Sequence, residues 1–240
     1  MITKTNLKVV AGERKIAPAS ENNTLVVPKL QRNTLNEEVY EQLKQALMSG
    51  QIEPGSTMTI RSLSASFGIS PMPVREALRH LVAEHVLELL PNRSVTVPVI
   101  TVERFREITR IRMSLEGLAA AEAAPLIGAT EIRQMAEINK KMEVLNAVQR
   151  PDYLVANREF HFLLYQNSQM PTLVKMIEAL WLQIGPLLTL HMKAGKSPGK
   201  AAEHHHRAVL EALSQRDAAK ARKAIESDLE DAAKVISESL

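Results

Sequence analysis

The 240-residue chain contains no cysteine. Disulfides, thiolate metal sites and cysteine nucleophiles are therefore excluded, and nothing argues for an oxidising compartment. Aromatic residues make up only 3%, so any core must be built from Leu, Ile, Val, Met and Ala. No apolar run approaches the roughly 18 residues that a membrane span needs, and residues 1–30 lack the apolar centre of a signal peptide. The expectation is a cytoplasmic protein with no membrane partner. An excess of one charge is missing too: the net charge is +3, too small to name a partner by itself.

What is present fits an ordinary globular protein, 45% apolar and 24% charged. Its length suits two domains, each able to bury a core. The distribution of charge says more than its sum. Residues 1–33 carry six Lys/Arg against two acids and show no sustained period, which reads as a basic, irregular N-terminal arm or a tail with no specific role. Residues 34–99 carry five bases against seven acids, the wrong sign for a nucleic-acid surface. Their charge is polarised, however. Glu37, Glu38, Glu41 and Glu53 precede Thr59, while Arg61, Arg75, Arg79 and Arg93 follow it, as a one-sided DNA contact requires.

Thr34 and Glu37 form a capping box, and Leu35, Val39, Leu43, Ala46 and Leu47 continue at helical spacing to about Ser49. Thr59 caps a short second helix that stops at Gly68. Ser70 caps a third, with Pro71 tolerated at its first position and Val74, Leu78, Leu81 and Val82 as its buried stripe. Two apolar runs, 86–90 and 95–99, then read as strands around the turn Pro91–Ser94. Three helices and a hairpin are the layout of a winged helix-turn-helix. From Thr101 onward helical patterns run at about 101–124, 130–148, 152–167, 171–193, 200–214 and 217–239, with Thr130 and Asp217 as N-caps. The expected fold is mostly α: an N-terminal winged helix-turn-helix, with three helices and a two-stranded wing, over residues 34–99. An all-α antiparallel bundle over 100–240 follows it.

The stretch from Phe67 to Arg79 carries the chemistry. Ser70 and the free amides behind it sit at a helix N-terminus, where a phosphate is favourably held. Met72 and Arg75 share one face of the first turn, opposite the apolar stripe. A recognition helix enters the major groove by that turn, where an arginine can bond guanine through two hydrogen bonds. Arg61, one helix earlier, is placed to cross to the backbone or an outer base.

Residues 36–97, with Gly50-Gln51-Ile52-Glu53-Pro54-Gly55 and Pro73-Val74-Arg75-Glu76-Ala77-Leu78, resemble the GntR family of bacterial regulators. The resemblance implies a homodimer on a short inverted repeat of double-stranded DNA, with Arg61 and Arg75 at the DNA and the wing tip, Asn92 and Arg93, in the minor groove. The chain departs from the family where Pro71 replaces a common arginine and Ser94 a common glycine.

Arg110, Arg112, Glu116 and the run Ala119 to Ala124 resemble the first helix of the FCD domain, the helical sensor of the FadR branch. The likeness covers roughly residues 103–235. That branch commonly binds a divalent metal through an Asp, a His four residues later and two further His. Here the resemblance lays those positions on Asn157, His161, His206 and Asp228. Two imidazoles and a carboxylate suit Zn, Ni, Fe or Mn, and the amide of Asn157 is the weakest ligand. A lapsed site is the rival reading. His204 and His205 read as exposed neighbours and His191 as surface.

Arg112 is the candidate for the anionic end of a small organic-acid effector, since a guanidinium matches a carboxylate with two parallel bonds. It lies at the edge of an apolar stripe of Ile108, Ile111, Leu115 and Leu118. An exposed ion pair with Glu116 is the alternative.

The reading is thus a DNA-binding regulator controlled by an organic acid beside a divalent metal, and not an enzyme. A metal-dependent hydrolase or oxygenase using the two His and Asp228 would lack a general base and leave the winged segment unexplained. A constitutive architectural DNA binder is the third possibility, favoured if the helical domain holds no polar cavity.

Overall fold

The computed structural model describes residues 35–145, 150–193, 199–238 and 240. The arm read at 1–33, the Thr34 capping box and the surface reading of the His191 side chain lie outside what is described.

Three helices come first: α1 (Leu35–Met48), α2 (Ile60–Phe67) and α3 (Pro71–Ala83). α1 buries Val39, Leu43 and Leu47, one stripe of the amphipathic pattern. Thr59 starts α2 by accepting from the Ser62 amide, and the Ser62 side chain reciprocates on the Thr59 amide. Gly68 ends α2 at φ +67°, a left-handed conformation that glycine adopts without a Cβ penalty. Ser70 has the extended backbone of an N-cap, but its side chain makes no capping hydrogen bond. The reason lies in the sequence: Pro71 and Pro73 have no amide hydrogen to offer it. Fewer free amides therefore stand at this helix start than a proline-free helix would present.

The wing is smaller than the apolar runs suggest. β2 (Glu88–Leu89) and β3 (Val95–Thr96) are two residues each. A third strand, β1 (Thr57–Met58), pairs antiparallel on the far edge of β3, giving the order β1-β3-β2. Thr96 stands opposite both Thr57 and Glu88, and Val95 opposite both Met58 and Leu89. At the wing tip Arg93 takes φ +62°. The Asn92 side-chain oxygen accepts from the amide and hydroxyl of Ser94, so Asn92 holds the turn that presents Arg93.

Six longer helices follow: α4 (Val102–Ala123), α5 (Ala129–Val144), α6 (Arg150–Gln166), α7 (Pro171–Lys193), α8 (Gly199–Ser214) and α9 (Ala218–Ser237). Thr101 and Asp217 cap α4 and α9 by accepting from the amides of Arg104 and Lys220. Thr130 is not a cap. α5 begins one residue before it, with Gly128 at the N-cap position, and the Thr130 hydroxyl instead accepts from Arg133. α4 packs along α9, where Ala119, Ala120, Ala123, Ala221 and Ala224 are buried. Side chains this small let two helix axes approach closely.

The buried face of α4 differs from the expected stripe. Ile108 is fully buried, but Ile111 is 41% exposed, and Leu115 and Leu118 are half-buried. The face that turns inward runs through Phe105, Ile108, Arg112, Glu116, Ala119 and Ala123. Two opposite charges that pair with one another can occupy a face that hydropathy assigns to solvent.

α7 ties the bundle to the first helix. The Lys44 ammonium of α1 sits 2.9 Å from Glu178 of α7. Burial works to lower Lys44's pKa, but Glu178 and Glu41 outweigh it and hold it above normal. At Gly185 a Cβ would stand 2.5 Å from the Leu47 carbonyl oxygen, so only glycine allows this approach of α7 to α1. Pro186 follows within the helix and removes one more intrahelical amide.

Candidate metal centre and DNA-reading surface

Every residue assigned to DNA from the sequence is exposed: Arg61, Ser70, Met72, Arg75, Asn92 and Arg93. Val74, Ala77, Leu78 and Leu81 anchor α3 from behind, which leaves its opposite face outward. Met72 is 60% exposed on that outward face. Arg79 on the same face bonds Glu76 at 2.9 Å.

In the bundle, α6, α8 and α9 bring His161, His206 and Asp228 together. One ligating atom from each lies within 4.8 Å of the others, and all three residues are buried. His161 Nε2 is 3.3 Å from one oxygen of Asp228, and His206 Nε2 is 3.9 Å from the other. Asn157, a turn before His161 on α6, is half-buried and lines the same cavity as His161 and Asp228. His204 is exposed as read. His205 is not: it is half-buried, lines the cavity and bonds Asp231 at 2.9 Å. Neighbours on one helix project about 100° apart, so His205 turns beside His206 towards α9.

A second layer, of which the sequence reading held only the Arg112–Glu116 pair, supports His161. The Tyr165 hydroxyl donates to Glu116 at 2.6 Å. Burial, reinforced by the Glu116 carboxylate, raises its pKa well above the ordinary phenol value, so the proton stays. Its oxygen is therefore left to accept from His161 Nδ1, 3.0 Å away. A proton on Nδ1 satisfies this bond and leaves Nε2, 3.3 Å from Asp228, as the nitrogen available to a cation. Glu116, with 0% of its surface exposed, also accepts from Trp181 Nε1 at 3.1 Å and from Arg112 Nε at 2.6 Å. The Arg112 guanidinium stacks 4.8 Å over the Trp181 ring. Arg112 lines the cavity as expected, yet it is neither exposed nor at the edge of an apolar stripe: it is 6% exposed and bonded to Glu116. Sequence spacing offered one clue to this layer, because Tyr165 stands i+4 from His161.

The donor set suits a divalent cation on chemical grounds. His206 Nε2 is buried with no hydrogen-bond partner, a costly condition for a polar atom. Burial pushes the His206 imidazole down to about 4, against the pull of Asp228, so the ring is neutral and can ligate. For Asp228, burial alone would raise the carboxyl, but its contact with the His161 ring, helped by His206, outweighs burial and holds it below the ordinary range. Two imidazoles and one carboxylate converging on one point are a donor set that could hold a cation.

Beside this group lies a cavity of about 120 Å³, lined mostly by apolar side chains from α4, α6, α7 and α9. Three helices with a paired wing, joined to a helical domain with a buried His–His–Asp group, define a winged-helix transcription regulator. The model of the bacterial regulatory proteins of the gntR family matches residues 35–97, and that of the FCD domain matches residues 107–231. The chain belongs to this family, whose members are transcription regulators and not enzymes. It is 31% identical to the HTH-type transcriptional regulator McbR of Escherichia coli (strain K12) over 192 residues, which spans 79% of this chain and 86% of McbR. To the HTH-type transcriptional repressor RspR of the same organism it is 25% identical over 198 residues, 82% of this chain and 86% of RspR. The solved structure of E. coli McbR/YncC shares the fold with a TM-score of 0.82 at 28% identity, covering 86% of this chain and 99% of that one. Among the described residues no helix is long and apolar enough to cross a membrane.

Proposed function

We propose that this regulator binds a short inverted repeat of double-stranded DNA as a homodimer, and that a small organic acid bound beside a divalent metal controls its operator affinity. The division of labour would follow the sequence reading: residues 34–99 read DNA, residues 100–240 sense and dimerise, and the basic arm at 1–33 adds phosphate contacts. The FCD domain supports assignment to the FadR branch. The observation that carries the proposal is the buried group of His161, His206 and Asp228, with an orphaned nitrogen, next to a cavity.

His161, His206 and Asp228 would hold the cation, with Asn157 as a weaker fourth ligand. A bound cation supplies a positive charge to an effector's carboxylate in a site from which water is largely excluded. Tyr165 fixes the ligating face of His161, and Glu116 fixes Tyr165. Arg112 serves this layer, rather than the effector, because its charge is already committed.

On the DNA side, Arg75 and Met72 on α3 would enter the major groove, and Arg61 and the Ser70 hydroxyl would meet the backbone. Arg93 would reach the minor groove from a turn that Asn92 holds. The route between the two ends runs along α7: Trp181 lines the cavity, Glu178 binds Lys44 of α1, and Gly185 abuts the Leu47 backbone. An effector that repositions α7 changes the angle of α1, and with it the spacing of two recognition helices.

Calorimetric titration of the chelator-stripped chain with Zn, Ni and Mn tests the site. One ion per chain is expected. His161→Ala should lose most of the affinity, and Asn157→Asp should tighten it through the added charge. No uptake by the parent would make the group a relic.

A further inference from the structure

The metal reading above leaves the nature of the acid open, and the cavity's own chemistry narrows it. We infer that this cavity takes a monocarboxylate with a compact apolar body, and that Thr109 is the residue that recognises its polar end. The inference rests on the cation reading of the His161, His206 and Asp228 group.

Charge limits the acid to one carboxylate. A divalent cation held by two neutral imidazoles and the Asp228 carboxylate keeps one net positive charge, enough for one carboxylate. Among the described residues that line the cavity there is no lysine, and the single arginine is Arg112. Its Nε lies 2.6 Å from one Glu116 oxygen and its Nη2 lies 3.4 Å from the other, inside the core. That pair is neutral overall. A second carboxylate on the effector would meet no uncompensated positive charge and would also face Asp231, whose charge His205 and Lys234 already balance. Burying an unpaired charge is strongly unfavourable.

The lining surface favours an apolar body. Phe105, Leu154, Leu188, Ala233, Val235 and Ile236 give the cavity much of its lining. A sugar acid would bury several hydroxyls against these side chains without partners. The volume of about 120 Å³ sets the size, since a cavity of roughly 150 Å³ accepts benzene. A branched acid of about seven non-hydrogen atoms, reaching the cation with its head, suits that space.

One lining group is unsatisfied. Thr109 lines the cavity, and its hydroxyl is buried with no hydrogen-bond partner. A lone buried hydroxyl costs stability unless a ligand completes it. Threonine at this point is explained by a ligand oxygen, whereas valine would serve packing better.

The probes are 3-methylbutanoate, succinate and gluconate, titrated calorimetrically into the zinc-loaded full chain. The expected result is 3-methylbutanoate binding at least tenfold more tightly than either other acid. Thr109→Val should weaken it about fivefold, the worth of one hydrogen bond, while raising the melting temperature of the acid-free chain. Thr109→Ser, which keeps the hydroxyl, should bind nearly as the parent does. Succinate or gluconate equalling 3-methylbutanoate, or none of the three binding, overturns the inference, as does a Thr109→Val variant with parental affinity. A different pattern marks failure of the cation reading. If 3-methylbutanoate binds the chelator-stripped chain as tightly as the zinc-loaded one, the cation is not involved, while the preference over succinate still reports the cavity's class.

Discussion

Removing the single oxygen of Tyr165 tests the layer behind the metal group. Tyr165→Phe keeps the ring in its packing and deletes two hydrogen bonds, the 2.6 Å donation to Glu116 and the 3.0 Å acceptance from His161 Nδ1. Glu116 retains Arg112 and Trp181, so the loss there is one charge-assisted bond, about 1.5 kcal/mol. His161 Nδ1 is left buried without a partner, which costs about 1–3 kcal/mol more. The total of roughly 3 kcal/mol corresponds to a melting temperature lower by roughly 10 °C in a protein of this size. Freed from Tyr165, the imidazole can shift its proton to Nε2 and donate to Asp228 at 3.3 Å, which blocks the ligating lone pair. Loss of an outer-shell partner typically weakens metal binding by about 10–100-fold. Scanning calorimetry and zinc titration measure the two effects, with the exposed His204→Ala variant as control. Zinc affinity within twofold of the parent would refute the argument that Tyr165 sets the His161 tautomer.

Other expectations address the remaining parts of the molecule. Arg75→Ala should leave the melting temperature unchanged, because the side chain is exposed, and weaken specific DNA binding at least tenfold. A bidentate base contact is worth about 1–3 kcal/mol and a dimer loses it twice; a loss under threefold in a mobility shift would remove Arg75 from the recognition surface. Glu178→Ala takes one of two carboxylates from the buried Lys44 ammonium. It should cost roughly 1.5 kcal/mol and blunt the coupling between zinc and DNA, which a parental response would contradict. In the metal-free chain, His206 is held at about 4 against an ordinary 6.5. The unfolded chain therefore takes up a proton that the folded chain refuses. That stability is fully present above about pH 6.5 and is lost as the pH falls towards 4, about 3 kcal/mol in all. Urea midpoints of the stripped protein should fall over this window and do so less in His206→Leu.

The elements most legible from the sequence were the long amphipathic helices, because burial repeats through several turns of each. β1 was invisible: a two-residue strand has no period, and Thr57–Met58 is extended only because β3 pairs with it. The wing was overestimated since apolar runs mark burial, and Val86 and Leu87 are core residues that precede the paired segment. On α4 the periodicity failed at Arg112 and Glu116. Both count as polar in any hydropathy pattern, although they neutralise each other in the core. His161, His206 and Asp228 were found by family spacing. Tyr165 and Trp181 were not, and Glu116 was read only as an exposed ion-pair partner of Arg112, since its contacts with them span 49 and 65 residues of chain. Ser70 holds its expected N-cap position without a capping bond, and Thr130 is not a cap. Prolines at the start of α3 leave Ser70 little to cap, and Gly128 takes the position expected for Thr130.

Above all, events at the His161, His206 and Asp228 group are expected to reach the DNA. The most direct test uses DNA selected by the zinc-loaded chain from a random-sequence pool, and the carboxylic acid that most raises that chain's melting temperature in a thermal-shift screen. The measurement is the dissociation constant for the selected DNA, with and without the acid, for the parent and for His161→Ala. The account predicts a change of at least fivefold in the parent, the lower range of allosteric coupling, and none in His161→Ala. An unchanged constant in the parent, or an equal shift in both proteins, would contradict it.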